Sequence, residues 1–107
     1  MPEARNVRLS PEAISDLDRL DRFLRERNPA AGDRMLSEVY ASALSLRMHA
    51  ARGARWQFDS GQHDVRELLV PFGRQAYVIR YQILDDAVRI LRIHHSREDR
   101  RREAETP

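Results

Sequence analysis

The chain has 107 residues and a mass of 12.5 kDa, is 41% hydrophobic and 34% charged, and contains no cysteine. That length fits one domain with one modest core. Without cysteine there is no disulfide staple, thiol nucleophile or thiolate zinc site, and no apolar run approaches the ~20 residues that span a bilayer.

The first eight residues lack the apolar stretch of a signal peptide, so a cytoplasmic location is expected. Net charge is +2 with a pI near 9.6, and every one of the 19 basic residues is arginine. Arginine keeps its charge and pairs bidentately with carboxylate or phosphate. The near balance of signs describes a mixed surface rather than a polycation, so composition alone gives little support for nucleic-acid binding.

Val7-Arg8-Leu9 alternates apolar and polar and reads as a short strand. Ser10-Pro11 then supplies an N-cap with proline at the first helical position. Ile14, Leu17, Leu20 and Leu24 recur at helical spacing, and the predicted helix runs from about Pro11 to Arg27. Asn28-Pro29 repeats the punctuation and opens a second helix. There Met35, Val39, Ala43 and Leu46 form one line, with Leu36, Tyr40 and Leu44 beside it. The short connection predicts an antiparallel hairpin. The second helix is expected to end near His49 to Arg52, with Gly53 as terminator.

Arg52 to Asp64 reads as a loop that Trp56 and Phe58 pack down. Three strand signals follow: Val65 to Val70, Gln75 to Ile83 and Ala87 to His95. They are separated by Pro71-Phe72-Gly73 and Asp85-Asp86, and such tight turns predict an antiparallel meander. The expected fold class is α+β: an N-terminal strand and a helical hairpin packed on one face of an antiparallel sheet that the meander completes. One domain is expected over residues 1–107, with its core at about 5–95 and a charged tail at 96–107.

Strict alternation places Tyr77, Ile79, Tyr81 and Ile83 on one face of the sheet and Ala76 and Val78 on the other. In the last strand it sets Leu91 and Ile93 opposite to Val88 and Ile90. Both faces then carry apolar residues, whereas the helices cover only one. Two covers stay open: the tail folded back, or a segment of a partner.

No metal site is expected. His94 and His95 diverge as strand neighbours, and His49 and His63 have no ligand spacing. No phosphate loop or catalytic triad stands out. The remaining set is Arg66, Arg80, Arg92, His94 and His95. Metal-free RNA cleavage can use such groups, arginine neutralising the phosphate and histidine moving the 2′-hydroxyl proton. The structural alternative pairs these arginines with Glu67, Asp85, Asp86 and the acids of the tail.

The ordered set from Val7 to Arg97 resembles the RelE/ParE superfamily of small bacterial toxins from type II toxin–antitoxin systems. It comprises Val7-Arg8-Leu9-Ser10-Pro11 with Ala13 and Asp16-Leu17, then Asn28-Pro29-Ala30-Ala31 and Val65-Arg66-Glu67-Leu68. Tyr77-Val78-Ile79-Arg80-Tyr81, the Asp85-Asp86 turn and Val88-Arg89-Ile90-Leu91-Arg92-Ile93-His94-His95-Ser96-Arg97 complete it. The ending Ile93-His94-His95-Ser96-Arg97, with no aromatic residue after Tyr81 and no lysine, looks like the ParE branch. The stretch His49-Ala50-Ala51-Arg52-Gly53 departs from many relatives, which carry a proline before that glycine. The resemblance implies a non-enzymatic inhibitor of DNA gyrase that needs no cofactor. It also implies neutralisation by a cognate antitoxin of the ParD-like, ribbon-helix-helix type. Target contacts are expected at Arg97, Arg100 and Arg101, and antitoxin contacts at Tyr77, Ile79, Tyr81, Leu91 and Ile93. The alternative within the superfamily is a RelE-like mRNA interferase acting through Arg66, Arg80, His94 and His95.

Overall fold

In the computed structural model, which describes residues 4–58, 61 and 63–98, the chain begins with β1 (Asn6–Leu9), α1 (Pro11–Arg25) and α2 (Pro29–Ser45). A 3₁₀ turn (Ala50–Arg52) and β2 (Ala54–Arg55) lead to β3 (Asp64–Phe72), β4 (Gln75–Ile83) and β5 (Ala87–His95). The strands form one sheet in the order β1-β5-β4-β3-β2. The expected meander is present as β3, β4 and β5, whereas β1 joins β5 in parallel. The hairpin of α1 and α2 covers one face, and Leu17, Leu20, Met35, Val39 and Leu46 meet Val70, Ile79, Tyr81, Val88 and Ile90 there.

Both helices start where the punctuation places them. Ser10 Oγ accepts from the Ala13 N–H at 3.1 Å and Asn28 Oδ1 from the Ala31 N–H at 3.3 Å, with Pro11 and Pro29 next in line. α2 stops at Ser45, short of the expected end. The Leu46 and Arg47 N–H groups reach back only three residues, to Ala43 and Leu44, and this tightened turn carries Leu46 and Ala50 into the core. Gly73, at φ +61°, takes the first place of the two-residue turn between Phe72 and Gln75.

One irregularity governs the sheet. The β4–β5 ladder pairs Tyr81 with Ile90 but Arg80 with Arg92, so Leu91 is an extra residue, a β-bulge. The bulge resets the alternation. Val88 and Ile90 before it and Ile93 after it all enter the core on the helix side. The expectation that Ile93 faces away from Val88 and Ile90 is therefore corrected.

β1 pairs with β5 only as far as Leu9 and Ile90. Beyond that point side chains replace the missing strand. Ser10 N–H donates to the Ile90 carbonyl at 2.9 Å and Ser10 Oγ to the Leu91 carbonyl at 2.9 Å. Asp16 accepts from the Ile93 N–H at 2.9 Å, and Glu98 accepts from the His95 N–H at 3.0 Å. Asp16 also takes a bidentate pair from Arg92 at 2.8 and 3.1 Å. Arg19 joins Glu98 at 2.6 Å, fastening the helical turn that opens at Ser96 to α1.

Burial alone would raise the Asp16 carboxyl, but the hydrogen bonds from Arg92 and the Ile93 N–H, with the charges of Arg92 and Arg19, hold it below its ordinary 3.8. The folded state thus binds this proton more weakly than the unfolded chain. Its stabilisation is complete above the ordinary value and is lost as the pH falls through the depressed one. Asp16→Ala leaves the Ile93 N–H without an acceptor and Arg92 without its acid. We expect a loss of about 2–3 kcal/mol in urea unfolding at neutral pH, shrinking under acid conditions. An unchanged urea midpoint would remove Asp16 from this role.

Candidate functional site

The structure separates the residues that RNA cleavage would need. In the β3–β4 register Arg66 lies opposite Tyr81 and Glu67 opposite Arg80, and in β4–β5 Val78 faces His94 while Tyr77 faces His95. Since side chains alternate, Arg66 and His95 lie on the helix side with Tyr77 and Tyr81, and Arg80 and His94 lie on the opposite side. Arg66 is bound to Asp64 at 2.9 Å and to the Ala51 and Gly53 carbonyls. Arg80 is bound to Glu67 at 2.9 Å and stacks over the Trp56 ring at 4.1 Å. His94 is buried at 4% exposure. His95 stands edge-on to Tyr77 at 5.4 Å and its Nδ1 accepts from the Arg97 N–H. The expected pairing of arginines with acids holds for Arg80 with Glu67. For Arg66 and Arg92 the acids are Asp64 and Asp16 instead.

The surface expected to receive the antitoxin is not open. Tyr77, Ile79, Tyr81 and Ile93 are core residues beneath the hairpin, at 4%, 0%, 0% and 1% exposure. Only Leu91, the bulge residue, stays half-buried. The correction has two causes: the helices cover the Tyr77–Tyr81 face, and the bulge turns Ile93 onto that face too. Tyr81 has an internal task. Its Oη accepts from the Gly53 N–H at 2.9 Å and donates to the Ala50 carbonyl at 2.6 Å. Burial pushes its hydroxyl above the usual 10, so it remains a donor. Gly53 is required by proximity: a Cβ there would lie 2.5 Å from Tyr81 Oη and 2.8 Å from the Glu67 carbonyl oxygen.

The exposed apolar surface lies on the hairpin instead. Ile14 (57%), Tyr40 (48%), Leu44 (56%) and Met48 (54%) are open to solvent. Tyr40 and Leu44, with half-buried Leu36, form the line beside the core stripe of α2 at four-residue spacing; Met48 lies in the turn beyond the helix and Ile14 faces them from α1. Ile14, expected in the core stripe of α1, belongs to this outer surface. Ile14, Leu17, Asp18, Asp21, Leu36 and Tyr40 line a shallow groove of about 220 Å³ between the helices. The signal was present in the sequence: α2 is apolar over a wider arc than one sheet contact needs.

On the other face of the sheet Trp56 is half-buried, with Phe58 edge-on at 5.5 Å, so the expected packing of the loop rests chiefly on Trp56. Of the expected target contacts, Arg97 is exposed, whereas Arg100 and Arg101 lie outside the described residues. Among the described residues no group of histidine and acidic side chains is arranged to hold a metal. No helix there is long and apolar enough to cross a membrane.

The fold, a helical hairpin over a mixed five-stranded sheet, is shared with a solved structure. That structure is titled "Chromosomal ParDE TA system from P. aeruginosa"; the likeness has a TM-score of 0.69 at 20% identity, covering 86% of this chain and 96% of that one. Residues 7–100 match the family described as the ParE toxin of the type II toxin–antitoxin system parDE, and the chain belongs to that family. Among curated relatives it is 40% identical over 96 residues to "Toxin RelE3" of Caulobacter vibrioides, covering 90% of this chain and 99% of that protein. It is 38% identical over 94 residues to "Toxin RelE1" of the same organism, covering 88% and 96%. The protein is thus a toxin of a type II toxin–antitoxin system, with a cognate antitoxin as its partner.

Tyr81→Phe tests whether Tyr81 belongs to the scaffold. It strands the buried Gly53 N–H and Ala50 carbonyl, so stability is expected to fall by about 1–3 kcal/mol. Hydrogen exchange at Gly53 is expected to rise more than elsewhere. Unchanged protection at Gly53 would refute this assignment.

Proposed function

We propose that the protein is a ParE-like toxin of the cytoplasm that inhibits DNA gyrase and so blocks replication, and that its antitoxin is of the ribbon-helix-helix type. The observation that carries this reading is the separation of Arg66 and His95 from Arg80 and His94 by the thickness of the sheet, with both arginines engaged by acids and His94 buried. General acid–base cleavage needs its groups converging on one phosphate within hydrogen-bond reach, and this set does not converge. A second reading, a RelE-like mRNA interferase, is favoured by the names of the two curated relatives.

Inducing the chain in bacterial cells while following thymidine and methionine incorporation separates the two. DNA synthesis is expected to stop well before protein synthesis, and His94→Ala combined with His95→Ala is expected to leave any folded toxin active. If translation stops first and the double variant cures it, the interferase reading takes over. Truncation after Glu98 removes Arg100 and Arg101 but keeps the Glu98 contacts. Loss of toxicity with an unchanged urea midpoint is expected, and continued killing would exclude those arginines from target binding.

The antitoxin surface is assigned to the outer stripe of the hairpin. Spacing of four residues along Leu36, Tyr40 and Leu44, with exposed Met48 beyond the helix end, suits an amphipathic helix laid in a groove. Tyr40→Asp with Leu44→Asp alters solvent-facing positions only. The fold is expected to persist while the affinity for the antitoxin falls by tenfold or more in calorimetry. Unaltered neutralisation would move the interface elsewhere.

A further inference from the structure

Arg8 of β1 and Arg89 of β5 stand directly opposite each other in the parallel ladder. The flanking pairs, Val7 with Val88 and Leu9 with Ile90, send their side chains toward the core, so both arginines project from the face opposite the helices. Both are exposed, and adjacent strands lie about 4.8 Å apart. Like charges in direct cross-strand register are destabilising. Nevertheless neither side chain donates a hydrogen bond to, or forms an ion pair with, any described residue.

The other arginines of this face are treated differently. The Leu91 bulge brings Arg92 onto the same side as Arg89, next to Arg80. Arg92 is held by Asp16 and Arg80 by Glu67. The row of Arg8 and Arg89 continues to Gln82 on β4, and two residues further Leu84 is 41% exposed. This corner of the sheet thus offers two unneutralised guanidinium forks, an amide and an open leucine. Asp85 and Asp86, exposed on the adjoining turn, bound it on one side.

The geometry points to a docking site for a short acidic segment of a partner protein, with Arg8 and Arg89 each pairing bidentately with a carboxylate and Leu84 supplying an apolar contact. A nucleic-acid strand fits less well. Two free cations neutralise only two phosphates, a weak electrostatic term, and a continuing phosphate backbone meets Asp85 and Asp86. The site lies on the face opposite the hairpin groove and does not depend on which cellular target the toxin has.

The full-length chain can be titrated with a fluorescein-labelled oligo-glutamate peptide and, separately, with a single-stranded oligonucleotide of equal charge, reading anisotropy at low salt. Arg8→Ser combined with Arg89→Ser is expected to weaken peptide binding at least tenfold. Arg27→Ser with Arg74→Ser, exposed positions elsewhere with the same change in net charge, is expected to leave it within about twofold. In the same series Arg89→Glu is expected to raise the melting temperature by about 2–5 °C, because it sets opposite charges side by side. The proposal is overturned if the peptide does not bind the natural chain, if both double variants weaken it equally, or if the oligonucleotide binds more tightly through the same pair. A fall in melting temperature for Arg89→Glu would also overturn it, by showing that the arginine pair is not a repulsive one kept for a ligand.

Discussion

The edge of β5 is the constraint on which the rest of the structure depends. β1 is four residues long and β5 nine, so half of β5 would present an open edge if strands alone had to cover it. An exposed row of backbone groups is a template for unwanted pairing. Here the first two turns of α1 take the place of the strand. A single hydroxyl, that of Ser10, caps the helix and holds the bulge carbonyl. One carboxylate, that of Asp16, serves both the Ile93 N–H and the Arg92 guanidinium. Helix, bulge and sheet edge are therefore one unit, and none of the three can be altered without the others.

The separation of surfaces follows from that unit. Because α1 is pinned to the β5 edge, the hairpin must lie across the Tyr77–Tyr81 face and bury it. The apolar residues that the hairpin does not need for the core are left on its outer side. The opposite face of the sheet receives Arg8, Arg80, Arg89 and Arg92, two of them neutralised within the chain. A toxin of this family must be restrained by one partner and act on another, and the fold supplies two chemically distinct surfaces, one greasy and helical, one flat and basic.

Much of the fold was legible in the residues. Ser10-Pro11 and Asn28-Pro29 mark both helix starts because capping and the missing proline N–H act locally. The meander follows from β-branched runs broken by tight turns. What could not be read depended on distant partners. The Leu91 bulge has no local signature: the groups that bond its backbone, Ser10 and Asp16, come from the other end of the chain, and alternation carried past it assigns Ile93 to the wrong side. Asp16 stood out only beside Leu17 within the family resemblance, because its partners Arg92 and Ile93 lie 76 and 77 residues away. Ile14 and Tyr40 are apolar at helical spacing, and periodicity alone does not say which of two adjacent lines meets the sheet. That Arg66 and Arg80 lie on opposite faces was hidden for a related reason: it depends on the register between β3 and β4, which no residue of either strand sets alone.

The stitching of α1 to β5 joins residues 76 to 81 positions apart. Such long-range closure comes late in folding, because the loop entropy must be met before the contacts reward it. During synthesis the N-terminal strand and hairpin leave the ribosome first and wait, their sheet-facing surface uncovered, until β5 has emerged. The toxin is in this sense unfinished while it is being made: its flat face, where β5 joins β1 to β4, does not exist before the last strand has emerged. That interval gives a neighbouring restraining protein time to be present when the active shape first appears.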